Sequence, residues 1–456
     1  MIPDDFTYNN NQLINLVKSM FKKIDITKFL TPEVKKKMTP NGKSLFRHYK
    51  LDESDIVRFL MQPRTETMQV ETQVFLELIG SSANVTKEDI IIRRSDLDAV
   101  SFRDFNLELT SKTYRMDLPR IAGRLVLAFD GTMISLQQTR ELMDAFGGHP
   151  SKTEIGSPLS RTEVLCDTET QTIIDAEFGK FRSDEGSMAV SMMDRMPGEL
   201  KRKHPVVLFD RKYCGFRTVY AAKRNNLDFV IRVKRNFSKE VDNFIASGKR
   251  EDSLFLEPTP KSVKRHQKRY PSEGFGGGVR VYLCRTYDGD EPVILMSSFP
   301  LSCEDGLRLY PLRWKAESAI DSYKNLFQVE IFSGNRPFTV RQDFYARLVA
   351  YNIFFLCLHA ATLMCLKRQE EKDSSSAKPL KYAYRLNANA SLHRFKEVFP
   401  KICYGDKSTD SLLLNLINFM TKFHEPIRPD RHFGRRFRAI KLFGKYITIQ
   451  NYRRAI

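Results

Sequence analysis

Apolar residues recur three to four positions apart through the first 120 residues, as they do along one face of a helix. Asn11–Val17 and Ser54–Met61 are the clearest stretches, and Ser54 is placed to cap the second. Residues 85–110 predict a further pair of short helices. From Arg124 the period changes. Leu125-Val126-Leu127-Ala128-Phe129 is a continuous apolar run ending in Asp130-Gly131-Thr132, the form of a buried strand. Arg161–Cys166 and Thr172–Phe178 flank the polar turn Asp167–Thr170 and predict a hairpin. Glu185–Met196 predicts a helix, and Val206-Val207-Leu208-Phe209 a second buried strand, ending in Asp210. Phe216–Asn226 then predicts a helix, and Asp228–Val233 a strand.

The order strand, hairpin, helix, strand, helix, strand predicts an α/β fold, a mixed sheet flanked by helices. Residues 237–305 interrupt it with turn-rich, β-type sequence that includes the run Gly274–Gly278. Helix resumes at about Tyr310 and runs to about Leu326. Leu348–Leu366 is long and apolar enough to be weighed as a membrane span. Asn352 and His359 would then face lipid at a cost, so a buried core helix is expected and no membrane partner. Residues 369–379 form a polar linker. The implied partition is a helical domain over 1–120, a core in two parts (121–236 and 306–367), a β-rich insertion at 237–305, and a helical, basic region over 368–456.

Composition changes this picture through charge. With 41% hydrophobic and 28% charged residues the 456-residue chain is an ordinary globular one. Its 74 Lys and Arg against 55 Asp and Glu leave +19, which points to a polyanionic partner rather than a small metabolite. Residues 231–270 and 424–456 contribute +6 and +7 of that excess, so two local basic surfaces carry most of it. Seven cysteines without a CxxC pair fit a reducing compartment. The acidic start Met1–Asp5 has no apolar signal region, so a cytoplasmic location is expected.

Strand ends in open α/β sheets are where ligands sit, so Asp130 and Asp210 are candidates to share one site. A strand-end Asp also commonly caps a turn, and either residue alone is explained that way. Tyr310, Arg313, Glu317 and Lys324 stand at offsets 0, 3, 7 and 14. At about 100° per residue they fall within roughly 60° of one helical face, a carboxylate flanked by two cations and a phenol. A salt-bridged surface would look the same. Trp314, the chain's only Trp, is suited either to stacking on a base or to anchoring the core. Lys264, Arg265, Lys268 and Arg269 form a dense basic stretch that either tracks a DNA backbone or is a solvated loop. The C-terminal Arg428, Arg431, Arg435, Arg436, Arg438 and Lys441 raise the same choice.

Tyr-x2-Arg-x3-Glu-x6-Lys, carried as Tyr310, Arg313, Glu317 and Lys324, resembles the signature of the insertion-sequence-four family of DDE transposases. The likeness extends to Asp130 in Phe-Asp-Gly-Thr, to Asp210 in Leu-Phe-Asp-Arg-Lys-Tyr-Cys-Gly, and to the order of elements over about 120–345. It implies an RNase H-like core in which Asp130, Asp210 and Glu317 are catalytic and bind two Mg²⁺ ions, with Mn²⁺ able to substitute. Three carboxylates suit hard, oxygen-seeking cations, and two ions suit in-line displacement at phosphorus. The resemblance assigns Tyr310, Arg313 and Lys324 to phosphates near the transposon end. It implies an endonuclease and strand transferase acting on double-stranded DNA, both terminal inverted repeats and target, as a homodimer in a synaptic complex. The N-terminal helices would help bind the ends, in a prokaryotic, nucleoid-associated setting. Hairpin-forming relatives hold a flipped base with an aromatic of the insertion. Residues 237–305 contain no Trp, so that role would fall to Tyr282, Tyr287 or Phe299. The rival readings are a catalytically silent, transposase-derived DNA-binding protein and a two-carboxylate hydrolase. The second leaves the +19 charge unexplained.

Overall fold

β1 (Val126–Ser135) and β5 (Val206–Phe209), the two apolar runs of the sequence, lie side by side and parallel, with Val126 opposite Val206 and Ala128 opposite Leu208. Val126–Phe129 and the whole of β5 are buried, the reason neither run alternates with polar residues. This computed structural model describes residues 10–22, 25, 28–32, 51, 53–63, 66–116, 124–151, 155–234, 236–288, 291–373, 384–404 and 408–427. The chain divides into two compact units: Asp117–Met133 with Arg161–Asp321, and Met1–Met116 with Ile134–Ser160 and Ser322–Ile456.

In the first of these units β6 (Asp228–Arg232) pairs parallel with β5. Three antiparallel strands follow outward: β9 (Glu291–Ser297), β8 (Val279–Asp288) and β7 (Glu251–Leu256). On the other side of β1 lies β3 (Ser157–Asp167), which pairs with β4 (Ile173–Lys180) as the predicted hairpin. Helix α1 (Glu185–Arg195) packs on β4 and on α2 (Phe216–Arg224). This is the mixed, helix-flanked sheet expected of an RNase H-like core. The stretch 237–305 extends the same sheet through β7–β9 and adds α3 (Lys239–Ser247) and α4 (Pro260–Arg269).

Two local expectations change. The basic stretch beginning at Lys261 is helix rather than loop, because Thr259 caps α4 by accepting from the Ser262 amide and Pro260 occupies its first turn. The single helix expected from Tyr310 to Leu326 is three unlike pieces. After α5 (Cys303–Leu309), Tyr310–Arg313 is a 3₁₀ turn, Trp314–Asp321 is α6, and Ser322–Leu326 is a π turn. A constant 100° per residue therefore does not hold across the four signature residues.

The other unit is mainly helical among its described residues. Asn10–Phe21, Glu53–Leu60, Met68–Leu78, Lys87–Arg94 and Ala99–Thr113 precede the core, and Ala388–Ile402 and Ser408–Met420 follow it. There the two-residue β2 (Gly148–His149) pairs with the first residues of β3. Pro337–Asp373 is one helix of 37 residues packed on Ala99–Thr113. It is long and apolar enough to cross a membrane, yet most of its apolar stretch is buried in protein. Asn352 is buried too, its amide donating to Asn106 Oδ1 at 2.7 Å. A core helix satisfies this polar side chain, as lipid would not. The C-terminal basic residues from Arg428 to Lys441 lie outside the described residues.

Candidate active site

The β1–β5 register is an offset of 80 residues, and carrying it two positions past Ala128 and Leu208 sets Asp130 beside Asp210. Phe129 and Phe209, one residue earlier on each strand, stack at 5.2 Å and 14° with no exposure to solvent. Tyr213 packs against both rings, at 6.3 and 5.7 Å. This aromatic floor fixes the two strands where the aspartates emerge. Asp210 directly follows β5 and caps the next turn, its Oδ1 accepting from the Lys212 amide at 2.6 Å. Asp130 does not end its strand. β1 runs on to Ser135 while the short β5 stops at Phe209, and positions 130–133 are half-buried before Ile134 is buried again.

Glu317 lies in the first turn of α6. Arg313 donates to Glu317 Oε1 at 2.9 Å, and its other terminal nitrogen is 3.9 Å from Asp130 Oδ1. The guanidinium is 9% exposed, Asp130 17% and Glu317 39%, so the bridge is well shielded at the Asp130 end and open to water at the Glu317 end. Burial pushes the Asp130 carboxyl up to about 6. Arg313 opposes the rise, and the charges of Glu317 and Asp210 add to it. The three carboxylates thus share one electrostatic neighbourhood. Their oxygen-only donor set fits a hard divalent cation, and Arg313 supplies a cationic counterweight between two of them. Among the described residues no three acidic, His or Cys side chains stand close enough to hold a metal ion as they are.

Sequence reasoning missed the carboxylates behind Asp130. Glu163 on β3 is fully buried; its Oε1 accepts from the Tyr213 hydroxyl at 2.5 Å, and its Oε2 has no partner among the described residues. Burial holds its carboxyl far above the usual range, with Glu185, Asp130 and Asp210 adding to the rise. Glu185, at the start of α1, is paired with Arg161 and lies 3.6 Å from Lys212 Nζ. Both crowd Gly131. A Cβ there would come within 3.1 Å of Glu163 Oε2 and 3.2 Å of Glu185, so the residue after Asp130 has to be small. The only sequence signal was a glutamate set in the otherwise apolar end of a strand. Tyr213→Phe removes the one donor to Glu163 among the described residues, and a loss of about 1–2 kcal/mol is expected in urea unfolding. An unchanged midpoint would mean that the hydroxyl contributes nothing there.

The other candidates are distributed as follows. The Tyr310 hydroxyl sits beside Arg313, and burial pushes it up to about 12. Trp314 is half-exposed with Arg313 over its ring at 4.7 Å, so it does not anchor the core. Lys324, on the π turn and in the other unit, is 3.1 Å from Glu330. On α4, Arg265 and Arg269 line a cleft shared by the insertion and residues 212–218, while Lys264 and Lys268 are exposed outside it. Arg124 stacks on Phe299 at 4.5 Å, and Tyr287 is exposed.

The family model of the transposase DDE domain matches residues 121–353, half of the chain and all of the site just described. The chain belongs to the transposase DDE domain family. Among solved structures, this transposase is similar to the piggyBac transposase in a synaptic complex with hairpin DNA. The TM-score is 0.41 and the identity 11%, over 90% of this chain and 81% of that one. No curated protein matches the sequence.

Proposed function

We propose that this transposase, of the insertion-sequence-four kind, cuts DNA at the ends of its element and joins the freed ends to a target. The reading is supported above all by Arg313, which donates to Glu317 and lies 3.9 Å from Asp130, the residue after Phe129 where β1 runs beside β5. These three carboxylates would hold two divalent ions, Mg²⁺ in the cell. Such ions, when bound, polarise the scissile phosphate and balance charge on the attacking and leaving oxygens. The chain's own part is to fix the carboxylates on a rigid sheet and to bring phosphate-binding groups beside them. Arg313 is a planar fork suited to phosphate once released from Glu317, and the Tyr310 phenol lies next to it. Half-exposed Trp314 offers a stacking face, and the cations of α4 a backbone track. The partners are double-stranded terminal repeats and target DNA, engaged by a homodimer on the nucleoid in the cytoplasm.

Purified protein with end-labelled terminal-repeat DNA tests the reading. Nicking at the terminus is expected with Mg²⁺ and none with EDTA, while binding persists in both. Tight binding without nicking in Mg²⁺ or Mn²⁺ would instead identify a silent DNA-binding descendant.

A further inference from the structure

Arg313 holds oxygens that an ion at the carboxylates needs. One terminal nitrogen donates to Glu317 Oε1 at 2.9 Å, and the other is 3.9 Å from Asp130 Oδ1. A single guanidinium thus faces two of the three carboxylates proposed to hold divalent cations. A dication drawn to those oxygens and the guanidinium repel each other, and Arg313 is buried enough that water screens little of the repulsion. While the bridge is closed the acids are also not arranged for an ion: among the described residues no three acidic, His or Cys side chains stand close enough to share one. Filling the site therefore requires the Arg313–Glu317 bridge to open.

The displaced group has a resting place that it already touches. The Arg313 guanidinium lies over the Trp314 ring at 4.7 Å, a cation–π contact that involves neither carboxylate. Trp314 is half-exposed at the start of α6, so a guanidinium that keeps this contact and loses Glu317 has its donors open to solvent. Those donors form a planar fork that matches a phosphate. Arg232 is the contrast in the same unit. The β5–β6 register, carried one position past Phe209 and Ile231, puts it level with Asp210. It has no ion pair among the described residues, so no ion has to release it.

We propose that Arg313 is a displaceable stand-in for the divalent ions. It closes the carboxylate site in the metal-free protein, and ions entering the site move it off Glu317 and onto Trp314, where it takes hold of a DNA phosphate. Ions and DNA then bind cooperatively, and each raises the affinity of the other by the same factor. The proposal rests on the transposase reading for the identity of the ion and of the polyanion. The displacement itself involves only the ion, Arg313 and the acids that it faces.

Three measurements test it. Without DNA, Mn²⁺ is expected to bind Arg313→Gln about tenfold more tightly than wild type, because the competing cation is gone. A residue that only supported the fold would leave Mn²⁺ affinity unchanged or lower it. Trp314 is the chain's only Trp, so its emission reports on the guanidinium above it. Titrating Mg²⁺ into the metal-free protein is expected to change that emission saturably in wild type and to leave it flat in Arg313→Gln. The third probe is a labelled duplex ending at the terminal base of the repeat, which leaves no bond to cut. By anisotropy at matched ionic strength it is expected to bind wild type about tenfold more tightly in Mg²⁺ than in EDTA. That gain should shrink to about threefold or less in Arg313→Gln. It should persist in Arg232→Gln, which loses affinity equally in both conditions. Equal or weaker Mn²⁺ affinity in folded Arg313→Gln, a flat wild-type emission, or an undiminished Mg²⁺ gain in Arg313→Gln overturns the proposal. End cleavage is scored separately. Cleavage by wild type with unchanged Mn²⁺ affinity in the variant defeats the displacement alone, and tighter Mn²⁺ binding without cleavage defeats the transposase reading alone.

Discussion

In Asp130→Asn, cleavage of element ends is expected to fall on the order of 10³-fold or more, while the metal-free protein becomes harder to unfold above neutral pH. The two effects have one cause. Asp130 sits in a poorly solvated place, and its carboxyl is pushed from 3.8 up to about 6 by burial, only partly relieved by Arg313. A carboxyl whose pKa is higher folded than unfolded binds more protons in the native state between those two values. The contribution of Asp130 to stability is therefore fully present below pH 4 and is lost as pH rises through about 6, by up to about 3 kcal/mol for a shift of this size. Asn carries no such charge. Urea titrations in EDTA should coincide for the two proteins at pH 4 and separate by about that amount at pH 8, with the variant the more stable. A variant less stable than wild type at pH 8, or curves separated equally at both values, would show that Asp130 is not held at an electrostatic cost. Full cleavage activity in the variant would remove it from the catalytic set.

That cost explains which parts of the site could be read from the amino-acid order. β1 and β5 were legible because a strand buried on both faces cannot alternate, and each run breaks at its first carboxylate. Their register was not, since an offset of 80 residues is fixed by the intervening hairpin and helix and not by either strand. The helical face proposed for Tyr310, Arg313, Glu317 and Lys324 rested on one uniform helix. Arg313 and Glu317 do meet, being four residues apart across the join of 3₁₀ turn and helix. Lys324 lies beyond a π turn and is paired with Glu330. Glu163 and Glu185 were invisible for another reason. Each is a single acid in an ordinary element, and only the close approach at Gly131 reveals what they surround. On α4 the cap and proline were in the sequence, at Thr259 and Pro260, but were outweighed by the density of charge that follows.

Arg313→Gln is expected to destabilise the metal-free protein by about 2 kcal/mol at pH 8 and to make its stability unusually responsive to Mg²⁺. The guanidinium is the one cation set between Asp130 and Glu317 among the described contacts, and its removal leaves both charges to their mutual repulsion. A fully buried pair broken on one side costs more, about 3–5 kcal/mol, but Glu317 is 39% exposed and water screens its share. Asp130 would respond by holding its proton to still higher pH, because its largest opposing influence is gone. Divalent cations can supply the missing positive charge. Added Mg²⁺ should therefore stabilise Arg313→Gln more than wild type, and the gap between them should narrow as the ion is titrated in. The double variant with Asp130→Asn isolates the cause. If Arg313 acts by balancing Asp130, its loss should matter much less once Asp130 is neutral. An equal loss in both backgrounds, or a gap that Mg²⁺ leaves untouched, would mean that Arg313 supports the fold only by packing, and that the pairing with Asp130 carries no energy.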